Sequence, residues 1–245
     1  MYGFDSTSSS MLELIPDNPQ TDTFYMLPKI HKEGNPGRPI ISGIGTLTEN
    51  IAGWVVNIMK PLVRRKPSYI PDTMDILCKL SALGPLPEEM ILATIDVESL
   101  YSNIPHEDGI AACKYFLQKN NLDTEQTLQF IRFVLHHNYF SFRNNLYQQY
   151  MGSTMGSKVS PQYANLFMAK LEELLSSCSV KPLAYFCYID DLLIIWTGSK
   201  DDLLTFYNKF NKYHPTIKLT LDFLKIQIHF LDMTIYIKDN AMQTK

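Results

Sequence analysis

Cysteine is scarce in this chain: Cys78, Cys113, Cys178 and Cys187 are the only four in 245 residues. None forms a Cys-x-x-Cys pair or partners a histidine in zinc-ligand spacing, so they read as scattered free thiols of an intracellular protein. Long apolar runs are missing as well. No stretch reaches the ~18 residues that a membrane span needs, because Asp190 and Asp191 break the longest candidate. Met1 to Ser10 is polar and lacks the apolar segment of a secretory signal. There is no excess of one charge: the net value of -3 does not announce a polyanion binder, although a chain average hides local fields. Repeats and low-complexity tracts are also absent.

What is present suits a soluble globular protein with a substantial core, at 45% hydrophobic and 19% charged residues. The stretch Ala184-Tyr185-Phe186-Cys187-Tyr188-Ile189-Asp190-Asp191-Leu192-Leu193-Ile194-Ile195-Trp196 organises the rest. Two apolar runs, too short for helices and rich in β-branched and aromatic residues, flank two adjacent carboxylates. The pattern predicts a β-hairpin with Asp190 and Asp191 at or beside its turn. Aspartate is common in turns for its local hydrogen bonding. Tight hairpins nevertheless prefer Asn-Gly or Asp-Gly, and neither is here. Two like charges side by side repel, and a divalent cation with oxygen ligands such as Mg²⁺ would offset that repulsion.

Residues 1–23 are Ser-, Asp- and Pro-rich and are expected to be disordered. From Phe24 to Ser42 the chain reads as two short strands joined by a Gly/Pro loop with basic residues. Between Tyr25 and Lys66 seven cations (Lys29, Lys32, Arg38, Lys60, Arg64, Arg65, Lys66) face two acids, Glu33 and Glu49. Such a run is either a solvated loop or a phosphate-binding surface. Helices are expected over 48–63, after Asp72, over 106–119 and 123–137, from Gln162 to Ser176 and from Lys200 to Tyr213. Strands are expected over Ile91–Val97, Ile217–Phe223 and Ile226–Ile237, and a hairpin over Tyr139–Tyr150 turning at Asn144-Asn145. Interleaved helices and hairpins indicate an α+β architecture.

Three carboxylates stand out: Asp96 at the end of a buried strand, and Asp190 with Asp191. An acid buried at a strand end is costly unless paired or bound to a metal. Adjacent strands of one sheet would bring the three together, and such a cluster holds two Mg²⁺ ions about 3.5–4 Å apart in nucleotidyl transfer.

The order of these segments resembles the reverse transcriptases, and most closely those of Penelope-like retroelements. The matching pieces are Leu27-Pro28-Lys29-Ile30-His31-Lys32 with Gly37-Arg38-Pro39-Ile40, and Asp96-Val97-Glu98-Ser99-Leu100-Tyr101-Ser102-Asn103-Ile104-Pro105. They continue with Met155-Gly156-Ser157, Ser160-Pro161 and Ala164-Asn165-Leu166-Phe167-Met168, then Tyr188-Ile189-Asp190-Asp191 and Phe230-Leu231-Asp232. The match runs from about residue 24 to 237.

The resemblance implies a right-hand polymerase of palm and fingers, with an antiparallel palm sheet packed on helices and no segment left for a thumb or a GIY-YIG endonuclease. Fingers would span 24–90, the first catalytic palm strand 91–105, a fingers/palm connection 106–150, and the rest of the palm 151–245. Asp96, Asp190 and Asp191 would be catalytic metal ligands, with the Val97 carbonyl beside them, for two Mg²⁺ ions or Mn²⁺ in their place. Lys29, Lys32 and Arg38 would hold the incoming triphosphate, Arg as a fixed fork of donors and Lys as a point charge. Tyr101 would act as a steric gate beneath the sugar, favouring dNTPs by exclusion of the ribose 2′-hydroxyl. Gly156, Ser160 and Pro161 would let the backbone approach the template and nascent base pair. Tyr188, Phe230 and Leu231 would lie along template and primer, and Lys218 or Lys225 would serve as general acid. The implied partners are an RNA template, a DNA primer and dNTPs, in the nucleus. Two alternatives stay open: an RNA-dependent RNA polymerase, against which Tyr101 speaks, and an inactive relic that only binds nucleic acid.

Overall fold

The computed structural model describes residues 13–30, 33–87, 89–238 and 241–245. In chain order it contains β1 (Asp22–Pro28), β2 (Gly37–Ser42), α1 (Glu49–Arg64), α2 (Thr73–Ser81), β3 (Ile91–Val97) and α3 (Leu100–Asn103). These are followed by α4 (His106–Lys119), α5 (Thr124–His136), β4 (Tyr139–Phe142), β5 (Asn145–Gln148) and α6 (Ser160–Leu171). The remainder is β6 (Ala184–Tyr188), β7 (Asp191–Trp196), α7 (Lys200–Asn211), β8 (Leu219–Leu224), β9 (Gln227–Phe230), β10 (Met233–Lys238) and β11 (Ala241–Thr244). The chain divides into two compact units, residues 1–63 with 101–167 and residues 64–100 with 168–245.

In the first unit a sheet of order β2-β1-β4-β5 accompanies the α4–α5 helix pair. Asp123 starts α5 by accepting the Gln126 N–H at 3.2 Å, which satisfies one of the donors a helix leaves open at its N-terminus. The Arg132 guanidinium of α5 grips the Glu107 carboxylate of α4 with two hydrogen bonds. The segment expected to be disordered as far as residue 23 is ordered sooner. The Gln20 N–H donates to Gly45 O at 2.8 Å, and Asp22 is buried as the first residue of β1. The β4–β5 turn also sits one residue earlier than expected. Arg143 and Asn144 take φ of +51° and +63°, leaving Asn145 to pair with Phe142. Positive φ at both central positions is the type I′ hairpin loop, whose twist matches that of the strands, and Asn adopts it readily.

The second unit is built on an antiparallel sheet of order β6-β7-β3-β8, with a smaller sheet β11-β10-β9. Side chains alternate across the strands, and one face supplies Leu92, Phe186, Leu193 and Ile195 to a core shared with Ile76 and Leu80 of α2. Ile228, Phe230, Met233 and Ile235 complete that core. On the opposite face Trp196 packs on Phe206 of α7, with ring centroids 5.4 Å apart. A capping box between Ser199 and Asp202 starts α7. The single strand expected over Ile226–Ile237 is two strands. Leu231 takes φ of +55° and the chain turns at Leu231-Asp232, so that Phe230 pairs with Met233. The helix expected to Ser176 ends as α-helix at Leu171 and tightens to a 3₁₀ turn over Glu172–Ser177.

Candidate active site

Register assembles the acids of the second unit. In the β3–β7 ladder Asp96 lies directly opposite Asp191. The Val97 N–H donates to Asp190 O at 2.9 Å, so the 97/190 position is hydrogen-bonded and the neighbouring Asp96/Asp191 position is not. Opposed side chains come closest at the non-bonded positions, with Cβ atoms about 5 Å apart. The same register sets Tyr188 opposite Asp191 and Thr220 opposite Asp96. Tyr188, Asp191, Asp96 and Thr220 therefore form a polar row across four strands, at the end of the face whose other end is the apolar core. The strand around Asp96 is buried as expected, but Asp96 itself is exposed. It shares a face with buried Leu92 and half-buried Thr94 but lies at the far end of the strand, past the covering core, so the carboxylate stands in water and the supposed burial cost is removed.

The β6–β7 turn consists of Ile189 and Asp190, and Ile189 takes φ of +56°. A β-branched residue is a genuine outlier there, and such strain collects at functional sites. Past the strand end, Ser99 takes φ of +50° and the Glu98 N–H donates to Lys218 O at 2.9 Å. The Thr220 hydroxyl donates to a Glu98 carboxylate oxygen at 3.0 Å. Glu98 and Thr220 were given no part in the sequence reading; Glu98, two residues after Asp96 in one motif, was the available signal. The two lysine candidates separate. Lys218 borders the acidic end of the sheet, whereas Lys225 follows Leu224, which lies opposite Leu92. That places Lys225 about 13 Å or more along the strands from Asp96, too far for the role considered for it. Phe230 is buried in the core and so presents no side chain to a primer. Leu231 and Tyr188 are partly buried against the same core.

The remaining predicted residues belong to the first unit. Lys29 and Arg38 sit on the β1–β2 hairpin, where the Lys29 N–H donates to Pro36 O at 2.9 Å and Arg38 is exposed opposite Leu27. Lys32 lies outside the described residues. Tyr101 is half-buried, and its carbonyl accepts the Ser153 N–H at 2.7 Å. Gly152 makes that approach possible: it takes φ of +73°, and a Cβ there would stand 2.5 Å from Tyr101 O. His106 binds Gly152 O through Nε2 at 2.7 Å, and burial holds its pKa below the usual imidazole value. Gly156, expected to make room for template, makes its close approach to β2, where a Cβ would stand 2.2 Å from Ile41 O. The buried Ser160 hydroxyl donates to Thr154 O at 2.7 Å and fixes the start of α6, and Pro161 follows it.

Behind the acidic hairpin lies a cluster that the sequence did not reveal. β6 is an edge strand, and residues 68–70 cover it: the Cys187 N–H donates to Ser68 O at 2.7 Å and the Ile70 N–H to Cys187 O at 3.0 Å. The Ser68 hydroxyl also donates to a Glu172 carboxylate oxygen at 2.6 Å. Burial pushes the Glu172 carboxyl from its ordinary 4.5 up to about 7, opposed by the Ser68 bond and the Lys66 charge. Burial, with Glu172 nearby, also raises the Tyr185 phenol, whose hydroxyl is buried with no hydrogen-bond partner. A carboxyl whose folded-state pKa is raised binds its proton more tightly when folded, so its contribution to stability is largest at low pH. That contribution falls as pH rises from 4.5 through about 7 and then levels. Chemical denaturation from pH 4.5 to 8 should show the wild type losing about 3 kcal/mol relative to Glu172→Gln. Parallel profiles for the two proteins would contradict this assignment.

Among the described residues no group of three or more His, Cys, Asp or Glu side chains is gathered to hold a metal ion by itself. No described helix is long and apolar enough to cross a membrane.

The architecture is that of a right-hand polymerase. Apo telomerase from Candida tropicalis is similar over 91% of this chain and 48% of its own, at a TM-score of 0.73 and 10% identity. Telomerase from Candida albicans in complex with a TWJ fragment of telomeric RNA is similar over 96% and 47%, at 0.69 and 12% identity. The BmCPV RNA-dependent RNA polymerase at elongation state is similar over 93% and 22%, at 0.64 and 10% identity. The chain thus spans about half the length of those telomerases. No curated protein sequence matches it. The model of the reverse transcriptase (RNA-dependent DNA polymerase) family matches residues 30–241, and the chain belongs to that family.

Proposed function

We propose that this chain is the polymerase core of a Penelope-like retroelement, copying RNA into DNA by transfer of dNTPs to a primer 3′-hydroxyl. The observation that carries the reading is the register of Asp96 against Asp191 beside the strained Ile189-Asp190 turn, within a chain of the reverse transcriptase family. The donor set fits Mg²⁺: hard carboxylate oxygens, two of them directly opposed, suit an ion that takes one or two carboxylates and completes its shell with substrate phosphates. Asp96, Asp190 and Asp191 would hold it, with the Val97 carbonyl. Bound there, the metal would activate the 3′-hydroxyl and neutralise charge on the triphosphate.

The other roles fall to the chain's own residues. Arg38 and Lys29, with Lys32, bind the triphosphate, Arg38 through its planar fork of donors. Lys218, at the acidic end of the sheet, is the lysine retained as proton donor to pyrophosphate. Tyr101, whose backbone is pinned by Ser153 and Gly152, excludes the ribose 2′-hydroxyl.

Primer extension on an RNA template, comparing dNTPs with rNTPs, tests the reading. The wild type should extend with dNTPs, and Tyr101→Ala should raise relative rNTP use about 10-fold or more, as expected when a steric exclusion is removed. Equal use of both nucleotides by the wild type would favour an RNA polymerase. RNA binding without extension would favour a relic.

A further inference from the structure

The segment that covers the edge of β6 grips it at the end nearest the acidic turn. Ser68 to Ile70 forms an isolated parallel bridge, with Tyr69 beside Cys187, and its backbone bonds at Ser68 O and the Ile70 N–H both go to Cys187. Cys187 stands two residues before the strained Ile189, and its thiol donates to Ile189 O at 3.6 Å. The gripping segment is itself fastened residue by residue. Glu172 holds the Ser68 hydroxyl, the Lys79 ammonium of α2 donates to Tyr69 O, and the Ile70 side chain is buried in the core.

Covering a sheet edge protects it from other chains, but backbone bonds and apolar side chains would do that at less cost than a carboxyl taken out of water. Glu172 is such a carboxyl, and near it the Tyr185 hydroxyl is buried without a hydrogen-bond partner. What the arrangement adds is restraint on the turn. A β-branched residue at φ of +56° persists only where its surroundings over-determine the backbone. On one side β7 restrains the hairpin, with Tyr188 opposite Asp191 and Cys187 opposite Leu192. On the other side the restraint comes from residues 68–70, and the Ser68–Glu172 bond ties that segment to the 3₁₀ turn after α6.

We infer that Ser68 and Glu172 are positioning residues for the metal site. By fixing residues 68–70 against Cys187 they hold the Ile189-Asp190 turn, and with it the Asp190 and Asp191 carboxylates, in the conformation that takes a divalent cation. The inference rests on the proposed metal site and adds the residues that keep it in shape. Two measurements on the full chain test it. Ser68→Ala removes the bond, and Ser68→Ala combined with Glu172→Leu removes it without leaving a carboxyl buried beside a missing donor. Both proteins should exchange the Cys187 and Ile70 amides about 10-fold faster or more, while the amides of the β3–β7 ladder stay protected. Both should bind Mn²⁺, followed by water-proton relaxation, about 3- to 10-fold more weakly than wild type. Ser68→Thr keeps the hydroxyl and should restore both properties. A bond that served stability alone would, when lost, weaken protection throughout the sheet and leave the Mn²⁺ affinity of the folded protein unchanged; either result would overturn the positioning role, even in proteins that extend primers. A wild type that binds Mn²⁺ but extends no primer would sink the polymerase reading and leave this inference standing. A wild type that binds no Mn²⁺ would overturn it together with the metal site.

Discussion

Asp96→Asn should lower primer extension at least about 10³-fold, a loss of about 4 kcal/mol of transition-state stabilisation, while leaving the protein as stable as before or slightly more so. The first half follows from the proposed chemistry: asparagine keeps the shape of the side chain but removes the charge. The second half follows from the ladder. Asp96 and Asp191 are like charges at directly opposed positions, an arrangement that costs a sheet roughly 0.2–1 kcal/mol. Asp96 is exposed, so asparagine there leaves no buried group without a partner. Thermal unfolding and extension measured on one preparation distinguish this from a structural role. A large fall in melting temperature would mean that the acids hold the fold. Full extension by Asp96→Asn, or by its companion Asp190→Asn, would end the proposed mechanism.

Gly156→Ala should have the opposite signature. Gly156 takes φ of +135°, a conformation that residues with a Cβ essentially do not adopt, and the new methyl would stand 2.2 Å from Ile41 O. That oxygen belongs to a strand paired with β1, and the same stretch is bound by the Ile41 N–H donating to Met155 O at 2.9 Å. Neither side can yield without breaking a ladder. A destabilisation of about 3 kcal/mol is expected, which for a chain of this size lowers the melting temperature by about 10 °C. Activity would fall with the folded population and recover on cooling. Normal stability with lost activity would instead return Gly156 to the role first expected of it, making room for template.

The strands and helices were largely legible because their apolar positions repeat at two or 3.6 residues, and because Asp72 and Asp123 cap their helices as their side chains allow. The turns were less so. The β4–β5 and β9–β10 turns depend on which residues accept positive φ, and nothing in the residue types at Arg143 or Leu231 announces it. The three acids were visible as types at the right spacing, but the exposure of Asp96 depends on where along β3 the core stops covering its face, which the largely apolar run Ile91–Ile95 conceals. The Ser68–Glu172 clasp joins positions far apart in the chain and follows no periodicity. The ring contacts of Phe24 with Phe140 and Phe142 were present only as composition, in 14 Tyr and 13 Phe, and it is the parallel pairing of β1 with β4 that brings those rings together.

The alternation that turns Leu92 and Leu193 into the core also turns Asp96 and Asp191 outward at its rim, so lesions of different kinds would have different fates. Deleting one residue within β3 or β7 would send the acids to the wrong face and pull the core out of register together, yielding a chain that cannot fold. A point substitution of either acid would leave a folded protein without the proposed metal site. Were the chain the retroelement polymerase proposed above, the decayed copies that still fold would carry substituted acids on unshifted strands.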